Sequence, residues 1–315
     1  KLTTMLFALA LICGWISILV SNFFGFSVVI INLFFFFFPA WLLILTHQRN
    51  SQNQRVFILG EETTKKSREI NAYQGILLAI ILIIAGWMLL GLFRYWYADV
   101  AYALGNNLNK SGSPQEAYPQ LKDAVATIAN EPVYLDELSI NLGTLSTALA
   151  MQGDTDNAAQ LAKDAIILSD QVIATHPNNI VYWKNRVRLF YTLSQGDKAK
   201  QAEYMTQALL AIQKAYELSP NDAKIIYNYG ILLGQTGQLD KGIEMLQKVI
   251  QMKPDYADAY FALGLFYHQS AVNEADVVVS PEMNQKAIET YEFLQQHFGI
   301  DNEEVKKSLE TWKAQ

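Results

Sequence analysis

The sequence predicts an all-α protein in which three transmembrane helices precede an α-solenoid of about five helical hairpins, closed by a capping helix. Three observations support this fold class. Uncharged apolar stretches fill much of residues 1–94, and small and apolar residues recur at fixed offsets beyond them. The net charge also changes, from +4 over residues 1–94 to −10 over residues 95–315. The chain therefore divides into a membrane region, 1–94, and a solenoid, 95–315.

The membrane region contains apolar stretches long enough to cross a hydrocarbon core of about 30 Å. Residues 2–21 and 27–45 carry no charge, and residues 74–93 end at Arg94-Tyr95-Trp96-Tyr97, a belt typical of membrane–water interfaces. Any one stretch could be a buried core helix, and the first could be a cleaved secretory signal, but together they favour membrane spans. Because the chain enters an apolar span directly after Lys1, we interpret it as a fragment of a longer membrane protein.

The linker 47–73 sets the predicted orientation, because loops rich in basic residues stay on the cytoplasmic side. It holds five basic residues, whereas the turn between the first two spans has none. We therefore expect this turn, and everything beyond Arg94, on the extracytoplasmic side of a cytoplasmic (inner) membrane that the chain crosses several times. The turn forms either an aromatic interface anchor or part of a site for lipid-linked chemistry, through Asn22, Phe23, Phe24 and Phe26.

A regular repeat surrounds Gly230. The pair Tyr229-Gly230 recurs as Leu263-Gly264, an offset of 34 residues, while Gly237 and Pro254 follow Gly230 by 7 and 24 residues. Gly230 allows two helices to approach closely, Gly237 ends the first helix in a left-handed conformation, and Pro254 stops the second. This pattern resembles the tetratricopeptide repeat (TPR), a hairpin of two helices that buries its apolar stripe by stacking on its neighbours.

The other units follow the same frame at longer spacing. Four turn glycines are separated by 41, 43 and 41 residues: Gly112, Gly153, Gly196 and Gly237. Asn178-Asn179 and Asn221-Asp222 supply side chains that cap the helices after two of the connections. One residue conflicts with the frame, because Pro119 falls inside the second helix of the first unit, where it should kink or shorten that helix.

The last unit departs from the pattern. An extra segment at 270–279 replaces its tight turn, after which Ser280 and Pro281 restart a helix as its cap and first residue. Residues 301–313 form a final amphipathic helix, the usual way of closing a solenoid. Its apolar face consists of Val305, Leu309 and Trp312.

Motifs that carry chemistry are few. The four histidines do not lie at metal-ligand spacing, no phosphate-binding loop is present, and the single cysteine, Cys13, is expected to be a buried thiol. We therefore expect no metal, no cofactor and no catalytic residue in this chain. The acidic region 95–315 lacks a basic stripe, which argues against nucleic acid as a partner.

A solenoid instead offers a groove lined by the first helix of each unit. In the repeat frame, nine residues are expected to line it: Tyr102, Asn106, Asn109, Lys224, Tyr227, Ile231, Phe261, Leu265 and His268. At any single position, an ordinary half-exposed residue is the simpler interpretation. As a set, these aromatic and amide groups are suited to bind a protein or peptide partner, or to stack on a sugar.

The order of these features carries a family resemblance. Spans joined by the turn Asn22-Phe23-Phe24-Gly25-Phe26-Ser27-Val28-Val29, a basic linker, a span ending Arg94-Tyr95-Trp96-Tyr97-Ala98-Asp99, and TPR-like repeats resemble the C-terminal part of O-antigen ligase/polymerase-family membrane proteins. The resemblance implies the transfer of sugar chains from an undecaprenyl-diphosphate carrier to an acceptor on the outer face of the membrane. The lipid bilayer and, through the full-length protein, an undecaprenyl-linked glycan are then the implied partners.

The catalytic part of that family is not matched. Its key His and Arg lie in a large outer loop upstream of the last spans, and no such loop occurs in this sequence, so no catalytic residue is carried over. The resemblance therefore implies that the chain is the non-catalytic end of a glycan ligase or polymerase. The alternative is a non-enzymatic, membrane-anchored TPR scaffold for cell-envelope or secretion assembly.

Overall fold

The computed structural model describes residues 11–16, 37–41, 72–300 and 303–314. Of the first two expected spans, 2–21 and 27–45, the structure therefore describes only the helical stretches 11–16 and 37–41. Nearly all of the linker 47–73 lies outside the described residues. The expected interface turn lies outside them as well, with Asn22, Phe23, Phe24 and Phe26.

From residue 72 onward the described chain is helical, with short connections. The helices are α1 (Ala72–Lys110), α2 (Pro114–Thr127), α3 (Pro132–Met151), α4 (Thr155–Thr175), α5 (Ile180–Gly196), α6 (Gln201–Leu218), α7 (Ala223–Gln235), α8 (Leu239–Met252), α9 (Ala257–Ala271), α10 (Pro281–Phe298) and α11 (Glu303–Ala314). Within the described residues, the one strand-like feature is an isolated antiparallel bridge between Val272 and Val278. The prediction of an all-helical, TPR-like solenoid is confirmed for this part of the chain.

The third apolar stretch and the first helix of the solenoid form one continuous helix, α1. The sequence suggested a span ending near Phe93 and a solenoid starting at Tyr95, but α1 contains no proline and runs unbroken through Arg94. Among the described residues, Gly75–Lys110 is the one helix long and apolar enough to cross a membrane. Its most apolar window has a mean hydropathy of 2.9 and is 0% buried. The structure thus describes one candidate span, not three.

The C-terminal half of α1 is fastened to the next two helices. The guanidinium of Arg94 donates a hydrogen bond to the carbonyl oxygen of Thr127 (2.8 Å), and the hydroxyl of Tyr97 donates to the carboxylate of Asp123 (2.8 Å). Tyr134 of α3 donates to Asp99 in the same way. Residues 94–110 therefore belong to the first hairpin of the solenoid, together with α2.

Small residues set the distance between the two helices in the hairpins α1–α2 and α7–α8. A Cβ atom added at Gly105 would lie 2.6 Å from Leu121 Cγ and 3.3 Å from the carbonyl oxygen of Ala117. At Gly230 it would lie 3.2 Å from the carbonyl oxygen of Gly242. The expected close approach of two helices at Gly230 is confirmed, because no larger side chain fits there without a shift.

Three of the four expected turn glycines adopt the left-handed conformation. Gly112, Gly153 and Gly237 have φ angles of 83°, 89° and 82°. Gly196, which was also predicted to be a turn glycine, is not among the positive-φ glycines. It is the last residue of α5, and a Cβ atom there would lie 2.9 Å from Thr147 Cα, so its small size serves helix packing and not a turn. Asp197 builds this turn instead, because its carboxylate accepts hydrogen bonds from the N–H groups of the two turn residues 199 and 200 (3.0 and 3.2 Å).

The helix caps follow the sequence with one exception. Asn179 accepts a hydrogen bond from the N–H of Val181 (3.0 Å), and Asp222 accepts one from the N–H of Lys224 (2.9 Å). Ser280 occupies the predicted cap position but makes no side-chain capping bond, and Pro281 at the first helical position is a start signal for α10. The helix α2 runs past Pro119 to Thr127 and is not shortened there.

The C-terminal helix closes the last hairpin. Val305, Leu309 and Trp312 are buried against α9 and α10, as predicted from their spacing. Cys13 was wrongly expected to be buried, because it is exposed in the helical stretch 11–16. In that stretch Gly14 lies against the ring of Phe38.

Candidate functional site

The first helices α5, α7 and α9 each present exposed residues on one face, because their other sides pack on neighbouring helices. The clearest stripe lies on α5, where the exposed residues recur every three or four positions, the spacing of one helix face. It consists of Val181, Lys184, Arg188, Tyr191 and Gln195. The opposite side of α5 packs on α3 and α6 through Leu189, Phe190 and Leu193. The stripe therefore faces the groove side of the solenoid.

The expected groove residues of α1 are engaged within the chain. Asn106 donates to the hydroxyl of Tyr102 (3.3 Å), and the Tyr102 ring lies 5.2 Å from the ring of Tyr134. Asn109 donates to Glu137 Oε1 (2.7 Å) and accepts from Asn141 (2.7 Å). Asn109 and the Tyr102 ring connect α1 to α3, and Asn106 bonds to Tyr102 within α1. All three residues are therefore engaged at or beside this contact between two helices.

The same contact continues to α5 through a buried carboxylate. Asp136 is 7% exposed, and its carboxylate accepts a hydrogen bond of 2.5 Å from the side-chain amide of Asn185. Burial raises the pKa of Asp136 to about 7, although the bond from Asn185 counteracts part of that rise. Burial and the charges of Glu137 and Asp136 also raise the pKa of Tyr102, which keeps its phenol protonated.

The expected residues of α7 remain partly open. Lys224 is exposed, and its side chain makes no ion pair among the described residues. Tyr227 and Ile231 are half-buried, and the Tyr227 ring lies 5.2 Å from the ring of Tyr256. A partner in the groove can therefore reach Lys224 fully and the other two side chains in part.

The expected residues of α9 fall into two groups. Leu265 is 37% exposed, and Phe261 is half-buried with its ring 5.4 Å from the ring of Tyr291. His268 is covered, because its ring stacks on Trp312 of the capping helix at 4.6 Å and its Nδ1 lies 3.1 Å from Asn284 Oδ1. His268 therefore joins the last hairpin to its cap.

A cleft of about 770 Å³ opens at one end of the α5 stripe. The helix α7 packs on α6 and α8 but makes little contact with α5, whereas α5 packs closely along α3. The cleft occupies the resulting gap, and Tyr191, Gln195, Met205 and Gln235 are among its lining residues. A second cleft of about 740 Å³ shares Gln195 and Lys198 with the first.

Reasoning from the sequence missed the α5 stripe and the clefts. The unit around Trp183 matches the repeat frame loosely, so no groove residue was assigned to it. The available signal was the row of polar and large residues at three- and four-residue spacing from 181 to 195. Within the described residues, no group of three or more His, Cys, Asp or Glu side chains is placed to hold a metal ion.

Comparison with known proteins identifies the repeat. A tetratricopeptide repeat model matches residues 211–244, and a TPR repeat model matches residues 232–270. Protein O-mannosyl-transferase TMTC1 of Homo sapiens is 27% identical over 175 residues, which are 54% of this chain and 17% of that protein. Small glutamine-rich tetratricopeptide repeat-containing protein 2 of Mycosarcoma maydis is 30% identical over 124 residues, 39% of this chain and 31% of that protein.

A solved structure, a thermophilic TPR protein of Thermus thermophilus, is 16% identical. It covers 69% of this chain and 100% of its own, with a TM-score of 0.44. The chain spans at most 31% of the length of the curated relatives it matches. The shared feature is the repeat itself: residues 211–270, from α6 to α9, carry tetratricopeptide repeats.

Proposed function

We propose that this chain is a membrane-anchored TPR protein whose solenoid binds a protein partner or acceptor on the extracytoplasmic side. The observation that carries the proposal is α1. Its apolar side chains from Ile76 to Phe93 are exposed on all sides, and the same helix continues into the first hairpin. A helix that is apolar all round needs an apolar environment, and a bilayer of about 30 Å matches its apolar length.

We further propose that the chain is the non-catalytic C-terminal portion of a lipid-linked glycan ligase or polymerase of the O-antigen type. The resemblance in the order of spans, turn, linker and repeats supports this. A second support is the partial similarity to Protein O-mannosyl-transferase TMTC1, a relative whose name describes a sugar transferase. The expected gene carries further spans and a His-bearing outer loop before Lys1. A full-length gene that starts at Lys1 would overturn this part of the proposal.

The anchoring and orientation are tested by labelling in spheroplasts with a membrane-impermeant maleimide. Cys13 is first replaced by serine, and single cysteines are introduced as Ser51→Cys in the linker and Gln152→Cys after α3. We expect Gln152→Cys to react in intact spheroplasts and Ser51→Cys to react only after lysis, because the basic linker stays inside. Labelling of Ser51→Cys alone in intact spheroplasts contradicts the orientation. Extraction of the chain by carbonate without detergent contradicts the anchor.

The alternative function is a non-enzymatic scaffold for cell-envelope or secretion assembly. It is favoured by the open α5 stripe, whose exposed side chains offer a binding surface along the groove. Affinity capture of the full chain from solubilised membranes separates the two proposals. The ligase proposal expects the captured protein to include the catalytic region encoded by the same gene, together with glycan acceptors. The scaffold proposal expects assembly proteins, and it expects glycan transfer to be unchanged when the chain is removed.

A further inference from the structure

The charges of the solenoid are segregated between its helices. Residues 95–315 carry a net charge of −10, and most of their acidic residues lie on the second helices of the hairpins and on α11. The first helices α5 and α7 contain no Asp or Glu. They contain four basic residues: Lys184, Arg186, Arg188 and Lys224. The middle of the groove is therefore basic, whereas the solenoid as a whole is acidic.

Three of these four cations are free to meet a ligand. Arg186 is not, because it forms an ion pair of 2.7 Å with Asp170 and donates to the hydroxyl of Ser169 (3.1 Å). Lys184, Arg188 and Lys224 are exposed, and none of their side chains pairs with a carboxylate among the described residues. These three side chains are thus open to a ligand on the groove side.

The acidic groups nearest to these helices are already engaged or lie at the helix ends. Asp136 is buried under Asn185, and Glu137 accepts a hydrogen bond from Asn109. Asp197 accepts hydrogen bonds from the backbone N–H groups of the turn residues 199 and 200, and Asp222 accepts one from the N–H of Lys224 at the start of α7. Asp258, exposed at the start of α9, is the remaining acidic residue on the groove side of that helix. The basic section therefore spans α5 and the start of α7.

Apolar contact area lies beside the charges. Along α5, Arg188 is followed by Tyr191, which is 42% exposed and forms one wall of the 770 Å³ cleft. Met205 adds an apolar side chain to the cleft, and the exposed Lys198 adds a further positive charge to its lining. From Lys184 to Gln195 the stripe is about 16 Å long, which matches about five residues of an extended chain.

We propose that the α5 stripe, with Lys224 and the adjoining cleft, binds an acidic, extended peptide segment of a protein partner and seats one apolar side chain of that segment in the cleft. This inference rests on the proposed function of the solenoid as a partner-binding surface, and it specifies the chemistry of the partner. Charge complementarity selects the acidic segment, and the cleft fixes its register by burying an anchor beside Tyr191.

The test uses the full chain in nanodiscs and fluorescein-labelled twelve-residue peptides, measured by fluorescence anisotropy. The first peptide is rich in Glu with one central Phe, the second replaces every Glu by Lys, and the third replaces the Phe by Gly. The groove variant is Lys184→Gln with Arg188→Gln. The control variant is Lys163→Gln with Lys307→Gln, which removes the same charge from exposed positions on α4 and α11.

We expect the acidic peptide to bind the unaltered chain more tightly than the lysine peptide, with an affinity that falls as salt rises. The groove variant should lose about tenfold in affinity and the control variant about twofold or less. Tyr191→Ala should lower the affinity for the acidic peptide that contains Phe and leave the affinity for the peptide with Gly in its place unchanged. An unchanged affinity in the groove variant, with circular dichroism showing a folded chain, overturns the inference.

Other outcomes separate this inference from the proposed function. If the lysine peptide binds as tightly as the acidic peptide and Tyr227→Ala weakens its binding, the groove is a partner-binding surface but not one for acidic segments. If no peptide binds and an anionic polysaccharide such as polygalacturonate does, the basic section belongs to a glycan and the peptide inference is wrong. If neither binds, both the inference and the proposed binding role of the solenoid fail.

Discussion

The hydroxyl of Ser146 donates a hydrogen bond of 2.7 Å to the carbonyl oxygen of Ala158, across the hairpin of α3 and α4. The two residues are twelve positions apart, as are Gly105 and Ala117 in the first hairpin and Gly230 and Gly242 in the fourth. Serine therefore occupies the position where the other two hairpins have glycine. The helices can approach closely at Ser146 because its hydroxyl donates a hydrogen bond to the opposing carbonyl oxygen.

The first prediction concerns the close helix contact at Gly264. A Cβ atom there would lie 2.5 Å from ring carbons of Tyr291, a side chain that is 0% exposed and has no room to move. We expect Gly264→Ala to lower the free energy of unfolding by about 1–3 kcal/mol. Thermal unfolding of the full chain followed by circular dichroism measures this change.

Gly86→Ala is the matched control for Gly264→Ala, since no atom lies within 4 Å of a Cβ atom at Gly86. It should leave the unfolding transition of the solenoid in place. Equal transitions for the two variants would contradict the packing role of Gly264.

The second prediction separates two kinds of glycine. Gly237 has a φ of 82° and open space around it. Gly237→Ala should therefore lower the free energy of unfolding by about 1–2 kcal/mol through backbone conformation alone. Gly237→Asn should recover most of this loss, because asparagine tolerates the left-handed conformation. Gly196→Ala should destabilise by crowding Thr147, and Gly196→Asn should be worse than alanine. Rescue of Gly196 by asparagine would show that the residue serves a turn after all.

The third prediction is a pH dependence that originates at Asp136. Its pKa is raised to about 7 in the folded chain, from 3.8, because burial disfavours the carboxylate. Between these two values the folded state holds a proton that the unfolded state has lost, so stability falls as the pH rises from about 4 to about 7. Asp136→Asn should flatten this part of the profile of unfolding free energy against pH. A profile of the same slope in Asp136→Asn would place the titrating group elsewhere.

The fourth prediction concerns the cap. Trp312 is 5% exposed, stacks on His268 and packs against the tilted ring of Tyr291, both with ring centroids 4.6 Å away. Trp312→Ala should lower the free energy of unfolding by about 3–5 kcal/mol. Amide hydrogen exchange should accelerate in α10 and α11 first, because repeats contact only their neighbours.

Trp312→Phe is the control for the cap, since it keeps an aromatic ring over His268 and should retain most of the protection of α10. A uniform loss of protection from α2 to α11 in Trp312→Ala would mean that the solenoid unfolds as one unit and would contradict the local role of the cap.

Local signals were predicted well from the sequence. The φ angles of Gly112 and Gly237 and the capping bond of Asp222 depend on a few neighbouring residues, and the sequence pattern there was sufficient. The prediction was wrong at Gly196, because the same residue type serves a packing contact with Thr147, far away along the chain. The candidate groove was predicted only in part, since the exposure of a side chain depends on which distant helix covers it.

The sequence by itself determined the repeat, its small residues and the apolar character of α1, because each of these follows from the types of residue and their spacing along the chain. Only the tertiary structure decided which side chains remain available. Asn109 is held by Glu137 and Asn141, and His268 is covered by Trp312, whereas Lys184 and Arg188 stay open beside a cleft. The physical reason is that periodicity fixes the face of a helix, while the packing of neighbouring helices fixes what that face meets.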